Sequence, residues 1–398
     1  MARLRRNLTM KISEVQVVPL QIKYPTVRSF GRHALTHGDN ILVRVLTDDG
    51  FDGIGEAVSR PYIYGESQVS IVHAIQEWFA PRLIGRSPFD TAAIDWDLDG
   101  VAGNPAAKAA IDMALVELQA KAAGQPTFRF LGGFQDHVDL SWILTYAPPE
   151  ELADEASRRY SQGYRCFKVK VGPDEHADAQ RMEALRSVLG DDVRIYVDAN
   201  ATFERWSAVK RMDALEESGV SFIEDPIAAV DFEGRRWLGK SSTLPMLADE
   251  SAKDLDEIDR ELTSGGCQLI SIKIFRCGLR GANAILARIA ASNATAVIGG
   301  QGETTVGALI GSHFAAASRL TTQLPAELSG ALRYDFDILE GGITFSDGRI
   351  NLSNSPGYGI TLDWDVVESL QVPVWSSGVG SVAAPTNVGW QSVRGIHR

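Results

Sequence analysis

From about residue 138 onward, short apolar runs recur along the chain: VDLSWILTY, CFKVKVG, VRIYVDAN, SFIEDP, PMLADES, LISIKI, ATAVIGG and LTTQLPAEL. Most of the gaps between them hold amphipathic stretches of helical length, such as RMEALRSVL and WSAVKRMDALEES. Strands buried on both faces read as compact apolar runs, and the helices that cover them read with a 3.6-residue period. Eight strands alternating with helices predict an α/β fold, a (β/α)8-type barrel over 136–335. A doubly wound open sheet would show fewer strands and a glycine-rich first turn.

The first 130 or so residues have another rhythm. ISEVQVV, ILVRVLTDDG and FDGIGEA alternate like strands, with a turn at Asp48-Asp49-Gly50. Helical patterns follow over roughly 67–84 and through NPAAKAAIDMALVELQAKAAG, with Asn104 expected as N-cap, Pro105 in the first turn and Gly124 as the stop. Strands followed by segregated helices predict an N-terminal α+β capping domain over 10–135. A turn-rich return segment, 336–371, is expected to complete that domain. Residues 372–398 read as a tail, and residues 1–9 as a loose extension.

Composition narrows the partners. The 398 residues suit about two domains. A formal charge of −12 argues against nucleic acid or an anionic membrane as the main partner. An acidic chain that handles an anionic small molecule needs a local positive site. Cys166, Cys267 and Cys277 form neither a disulfide framework nor a zinc signature, which suggests a reducing cytoplasm. The basic start lacks the apolar run of a secretory signal, and no stretch approaches the ~20 apolar residues of a membrane span.

Candidate chemistry sits at the strand ends. In CFKVKVG, Lys168 and Lys170 share one strand face, and lysine is seldom buried unless paired or working. Asp198 ends the third strand, Glu224 the fourth and Asp249 the fifth, while Lys273 lies on the sixth. The steps from 198 to 224 to 249 to 273 each match one βα unit, so these groups gather at the carboxyl-end mouth where barrel active sites lie. At ~4 Å each pair of like charges costs on the order of 4 kcal/mol at an effective dielectric near 20. A cation must therefore sit among the carboxylates, and an all-oxygen ligand set selects Mg2+ or Mn2+. A single acid at a strand end is usually a helix cap, and Asp225 and Glu250 are expected to be caps or solvated loop charges. A plain salt bridge accounts equally for Lys168. Lys170 and Lys273 are expected to be the acid and base, with pKa values lowered by neighbouring cations. A metal that stabilises charge on a substrate carboxylate, with lysines beside its α-carbon, is an arrangement suited to removing or delivering the α-proton.

KVK at 168–170, DAN at 198–200, EDP at 224–226, ADES at 248–251 and IKI at 272–274 resemble, as a set, the muconate-lactonizing subgroup of the enolase superfamily. The resemblance implies a modified TIM barrel with an N-terminal cap and lysine acid/base chemistry, since no histidine follows the seventh strand in VIGGQGETT. RPYIYGESQ, GNPAAKAAIDMAL and AELSG look like muconate cycloisomerase, which implies conversion of cis,cis-muconate to muconolactone. It further implies that Lys168 tunes Lys170, that Asn200 supports the ligands from behind, and that Glu327 positions the opposite lysine or the substrate. N-terminal loops at 24–38 and 58–67 are expected to close over the mouth, offering Arg28, Arg32, His33, Arg60 and Tyr64. Gln301 and Glu303 stand where the subgroup more often has methionine nearby. An epimerase of N-acylamino acids or dipeptides, or a carboxylate dehydratase, is the alternative reading; a non-catalytic binding protein is the remote one. Homo-oligomers, dimers or octamers, are common in the family.

Overall fold

The computed structural model describes residues 10–30, 33–373 and 391–394, the last four and residues 25–30 and 33–35 as backbone only. Three antiparallel strands open the chain: β1 (Ile12–Phe30), β2 (His33–Thr47) and β3 (Asp52–Val58). Helix α1 (Pro105–Ala123) packs on β3 so closely that a Cβ at Gly53 or Gly55 would overlap the carbonyl oxygens of Ala114 or Ala110. Glycine there sets the distance between helix and sheet. Gly124 ends α1 in the left-handed conformation, as expected. Asn104 takes the N-cap position and Pro105 opens the helix, as expected, but the Asn104 side chain makes no cap bond. The Glu66 carboxylate accepts from Ala106 N at 2.8 Å instead.

The barrel follows. Strands β4 (His137–Asp139) and β5 (Trp142–Leu144) lead into β6 (Cys166–Lys170), β7 (Arg194–Asp198), β8 (Val220–Glu224), β9 (Met246–Ala248), β10 (Leu269–Ile272) and β11 (Thr295–Ile298). From β5 to β11 they form one seven-stranded sheet in sequence order, and every pairing is parallel. Between and after them lie α2 (Pro149–Ser161), α3 (Glu175–Leu189), α4 (Arg205–Glu217), α5 (Phe232–Ser241), α6 (Leu255–Ser264), α7 (Ile274–Ala291) and α8 (Thr305–Ala315).

The eighth strand expected in LTTQLPAEL is not a ladder strand. Two residues close the ring instead. Ala326 N donates to Asp139 O at 2.8 Å, Ser141 N donates to Ala326 O at 2.9 Å, and Glu327 N donates to Ile298 O at 2.8 Å. Pro325 immediately before them has no N–H to offer a neighbouring strand, which keeps the closure short.

The return segment binds both units. Strand β12 (Phe345–Ser346) pairs with β13 (Arg349–Asn351), and β13 with β4, while the Tyr358 hydroxyl donates to Met113 O on α1 at 2.8 Å. Within the stretch read as a tail, β14 (Gln391–Arg394) pairs antiparallel with β1. Its Ser392 and Val393 offer no periodic pattern long enough to stand out, but the exposed edge of β1 gives the backbone a partner.

Glu56 on β3 fastens cap to barrel. It is fully buried, and its carboxylate accepts from Thr304 N and Gly307 N, each at 2.8 Å, and from Thr304 Oγ1 and Asn40 Nδ2, each at 2.6 Å. The donors lie at the start of α8, where helix N–H groups need acceptors. Burial nevertheless pushes its carboxyl up to about 7 against an ordinary 4.5. Between those two values the folded protein holds a proton that the unfolded chain has released, so stability falls as pH rises through the window. Glu56→Gln is expected to flatten that part of the profile in urea unfolding midpoints taken from pH 4 to 8. An unchanged slope would assign the effect elsewhere.

Candidate active site

Alternation along the parallel strands builds the barrel interior in layers. Cys166, Tyr196, Phe222, Leu247, Leu269 and Val297 form a small apolar cluster of their own. Two residues further toward the carboxyl ends, the same faces carry Lys168, Asp198, Glu224, Asp249 and Ser271. Lys170 and Lys273 stand a further step out. The opposite faces, with Phe167, Val169, Ile195, Val197, Ile223, Ile270 and Ile272, join the large core under the helices. An apolar plug thus closes the barrel beneath a polar floor.

Register aligns the charged groups. Lys170 pairs with Asp198, and Asp198 with Glu224. Lys170 Nζ lies 2.6 Å from Asp198 Oδ2 and 2.6 Å from Asn200 Oδ1. Asn200 N in turn donates to Asp198 Oδ1 at 2.9 Å. Lys168 Nζ lies 2.6 Å from Glu224 Oε2, and 3.1 Å from both Asp198 Oδ2 and Glu327 Oε1. Glu327 also accepts from the Tyr196 hydroxyl at 2.7 Å. Across the mouth Lys273 is ion-paired with Asp249. The side chains of Lys170 and Lys273 are each 12% exposed and that of Lys168 only 4%. Lys170 and Lys273 can therefore meet a substrate, whereas Lys168 is enclosed by three carboxylates.

The charge balance is uneven. Burial alone would raise the Asp198 carboxyl, but Lys170 and Lys168 outweigh it and hold the group below the usual range. Against the same burial, Lys273 and Arg276 hold Asp249 down at about 2. Glu224 is different: burial and then the charge of Asp198 push it well above an ordinary carboxyl. Burial and the charge of Asp249 push Glu250 to about 8. The lowering expected at Lys273 from nearby cations is not found. For Lys168 and Lys273 burial does act downward, yet the touching carboxylates, Glu224 and Asp249 foremost, overcome it and raise both.

The residues next to the ligand candidates divide. Asp225 is neither a helix cap nor a solvated charge: it is buried, accepts from Asp249 N at 3.1 Å and Glu250 N at 2.7 Å in the turn after β9, and pairs with Arg235 at 2.9 Å. Glu250 is not a solvated loop charge, for its carboxylate gathers with those of Glu224 and Asp249 within 4.8 Å. Arg276, missed in the sequence, pairs with Asp249 Oδ1 at 3.0 Å. It stands in the first turn of α7, three residues past Lys273, and that spacing was its only signal.

The capping domain reaches the mouth through 58–67. Arg60 donates to Ser59 O at 2.7 Å and to Gln301 O. Tyr64 OH lies 3.4 Å from both Gln301 Oε1 and Arg276 Nη1. Glu303 Oε2 accepts from Gln301 N at 2.5 Å. The expected loop at 24–38 is largely the extended hairpin of β1 and β2, with Arg28 opposite Leu35 and Phe30 opposite His33. Arg32 and the side chains of Arg28 and His33 lie outside the described residues.

The comparisons agree with this architecture. Residues 151–366 match the enolase C-terminal domain-like family, and residues 12–132 match the mandelate racemase/muconate lactonizing enzyme N-terminal domain. The N-succinyl-L-Arg/Lys racemase of Bacillus cereus is 30% identical over 91% of this chain and 98% of its own. Muconate cycloisomerase 1 of Rhodococcus opacus is 31% identical over 90% and 98%. The crystal structure of the dipeptide epimerase of Enterococcus faecalis V583, complexed with Mg and L-Leu-L-Tyr, superposes with a TM-score of 0.84 at 29% identity, covering 88% of this chain and 99% of that one. With both family domains matched in order around a barrel whose mouth carries paired lysines and carboxylates, the chain belongs to the mandelate racemase/muconate lactonizing enzyme family of the enolase superfamily and is an isomerase of that group.

Proposed function

We propose that the protein is a metal-dependent muconate cycloisomerase, converting cis,cis-muconate to muconolactone. The carrying observation is that Lys170 and Lys273, four strands apart in one sheet, are the two lysines of the mouth open to a substrate, with the carboxylates between them. Asp198, Glu224 and Asp249 are the metal ligands in this reading, and Glu250 is a further oxygen beside them. The donor set fits a hard cation, because Glu224, Asp249 and Glu250 bring carboxylate oxygens within 4.8 Å of one another. Bound Mg2+ or Mn2+ supplies Lewis-acid stabilisation to a substrate carboxylate as charge builds on it.

The chain's own groups do the rest. The distal carboxylate of muconate adds to the diene, forming the lactone C–O bond and pushing the electron pair toward the carbon next to the other carboxylate. An ammonium, Lys170 on one side or Lys273 on the other, delivers a proton to that carbon. Lys168, Tyr196 and Glu327 hold the floor. The eighth-strand side favours a substrate without a free ammonium, since Glu327 is already held by Lys168 and Tyr196.

A second reading, racemisation of an N-acylamino acid, is favoured by the same bracket of lysines: one would remove the α-proton and the other return it to the opposite side. The test is loss of the conjugated-diene absorbance on mixing protein with cis,cis-muconate and Mg2+ or Mn2+. Fast loss that a chelator abolishes is the expected result. Folded, metal-loaded protein that leaves muconate unchanged but exchanges the α-proton of N-acylamino acids in D2O would replace the first reading by the second.

A further inference from the structure

The loop after β11 carries an amide with an incomplete set of hydrogen bonds. Gln301 is 4% exposed, and its Nε2 has no partner among the described residues. Burying an amide donor unpaired is costly, and native proteins rarely keep one without a use. The rest of the residue is committed: its carbonyl to Arg60, its N–H to Glu303, and Oε1 to the Tyr64 hydroxyl.

A chain of donors sets which way the amide faces. Arg276 is held by Asp249 Oδ1 at 3.0 Å, Ala252 O at 3.0 Å and Ser271 O at 2.9 Å. A guanidinium only donates, so its contact with Tyr64 makes the phenol oxygen an acceptor there. The Tyr64 proton is then directed to Gln301 Oε1, and Nε2 is left with both hydrogens. Gly302, at φ +90°, lets the loop lie close against Arg60, since a Cβ there would overlap its guanidinium. Arg276 and Lys273 both pair with Asp249, and Arg276 meets Tyr64, which puts this amide on the Lys273 side of the mouth.

We propose that Gln301 is a specificity-determining residue whose Nε2 donates to an oxygen acceptor of the substrate remote from the reacting carbon, a second carboxylate or an acyl carbonyl. This rests on the carboxylate-processing reading above and narrows it to acids that carry an acceptor at their other end. A free ammonium in that position meets a donor and is rejected.

Titration calorimetry with two unreactive probes, adipate and hexanoate, in Mg2+ buffer tests it. Wild-type protein should bind the dicarboxylate about tenfold more tightly, the scale of one hydrogen bond to a charged group. In Gln301→Met the preference should fall to within about twofold. Tyr64→Phe removes the proton that orients the amide and should also weaken the preference; it decides the question if Gln301→Met does not fold. Equal binding of the two acids by wild type, or a preference that survives in the folded variants, overturns the proposal. Muconate turnover is scored separately: no turnover with the adipate preference present and lost in Gln301→Met refutes the cycloisomerase reading and leaves Gln301 in its role.

Discussion

Lys170→Met and Lys273→Met, made separately, are expected to divide the two chemistries. A positioned acid or base contributes about 10²–10⁴-fold in rate. In a cycloisomerase one lysine delivers the proton, so one variant should lose turnover by about that factor while the other loses far less. In a racemase both lysines handle the proton. Both variants should then lose racemisation, each retaining α-proton exchange from one enantiomer only, followed in D2O. Lys170 is anchored by Asp198 and Asn200, and Lys273 by Asp249. Methionine keeps much of the length of either side chain, so a loss would report the ammonium rather than packing. Turnover unchanged in both variants would remove the lysines from the mechanism.

Lys168→Met should mainly change stability. Its Nζ meets Asp198, Glu224 and Glu327, all buried. Removing one partner of a buried ion cluster costs about 3–5 kcal/mol, because the remaining charges stay desolvated without compensation. Urea unfolding should show a loss of that order in chelator. Saturating Mg2+ should reduce it, since the proposed ligands Asp198 and Glu224 would regain a cation. Adding Glu327→Gln to Lys168→Met should recover part of the loss by deleting one stranded charge. A loss below about 1 kcal/mol, within the range of exposed pairs, would mean that solvent or rearrangement already screens the cluster.

Much of this site was legible before any fold was known. Asp198, Glu224, Asp249 and Lys273 stood out because a barrel repeats its βα unit at near-constant length, and ladder register does place Lys170, Asp198 and Glu224 side by side. Asn200 and Glu327 were named through the resemblance, and each meets a lysine, Lys170 and Lys168 respectively. The eighth strand misled for a physical reason: two backbone residues suffice to close the ring, and so short a stretch has the same apolar pattern as a strand.

Other groups left no trace in local pattern. Glu56 looks like an ordinary strand glutamate, yet it holds the start of a helix some 250 residues away (|i−j| of 248 to Thr304). Arg276 reads as one arginine on an amphipathic helix, and only packing shows its guanidinium against Asp249 and Tyr64.

By itself the sequence determined the barrel, its cap, the face of each strand that carries charge, and the gathering of acids and lysines at one mouth. These follow from periodicities of two and 3.6 residues and from a repeating unit, all local quantities. Tertiary structure decided which lysines keep some exposure, which carboxylates crowd together, and which buried amide keeps a nitrogen without a partner among the described residues. Those depend on burial and on partners far along the chain, because the energy of a charge or a donor is set by what surrounds it in space.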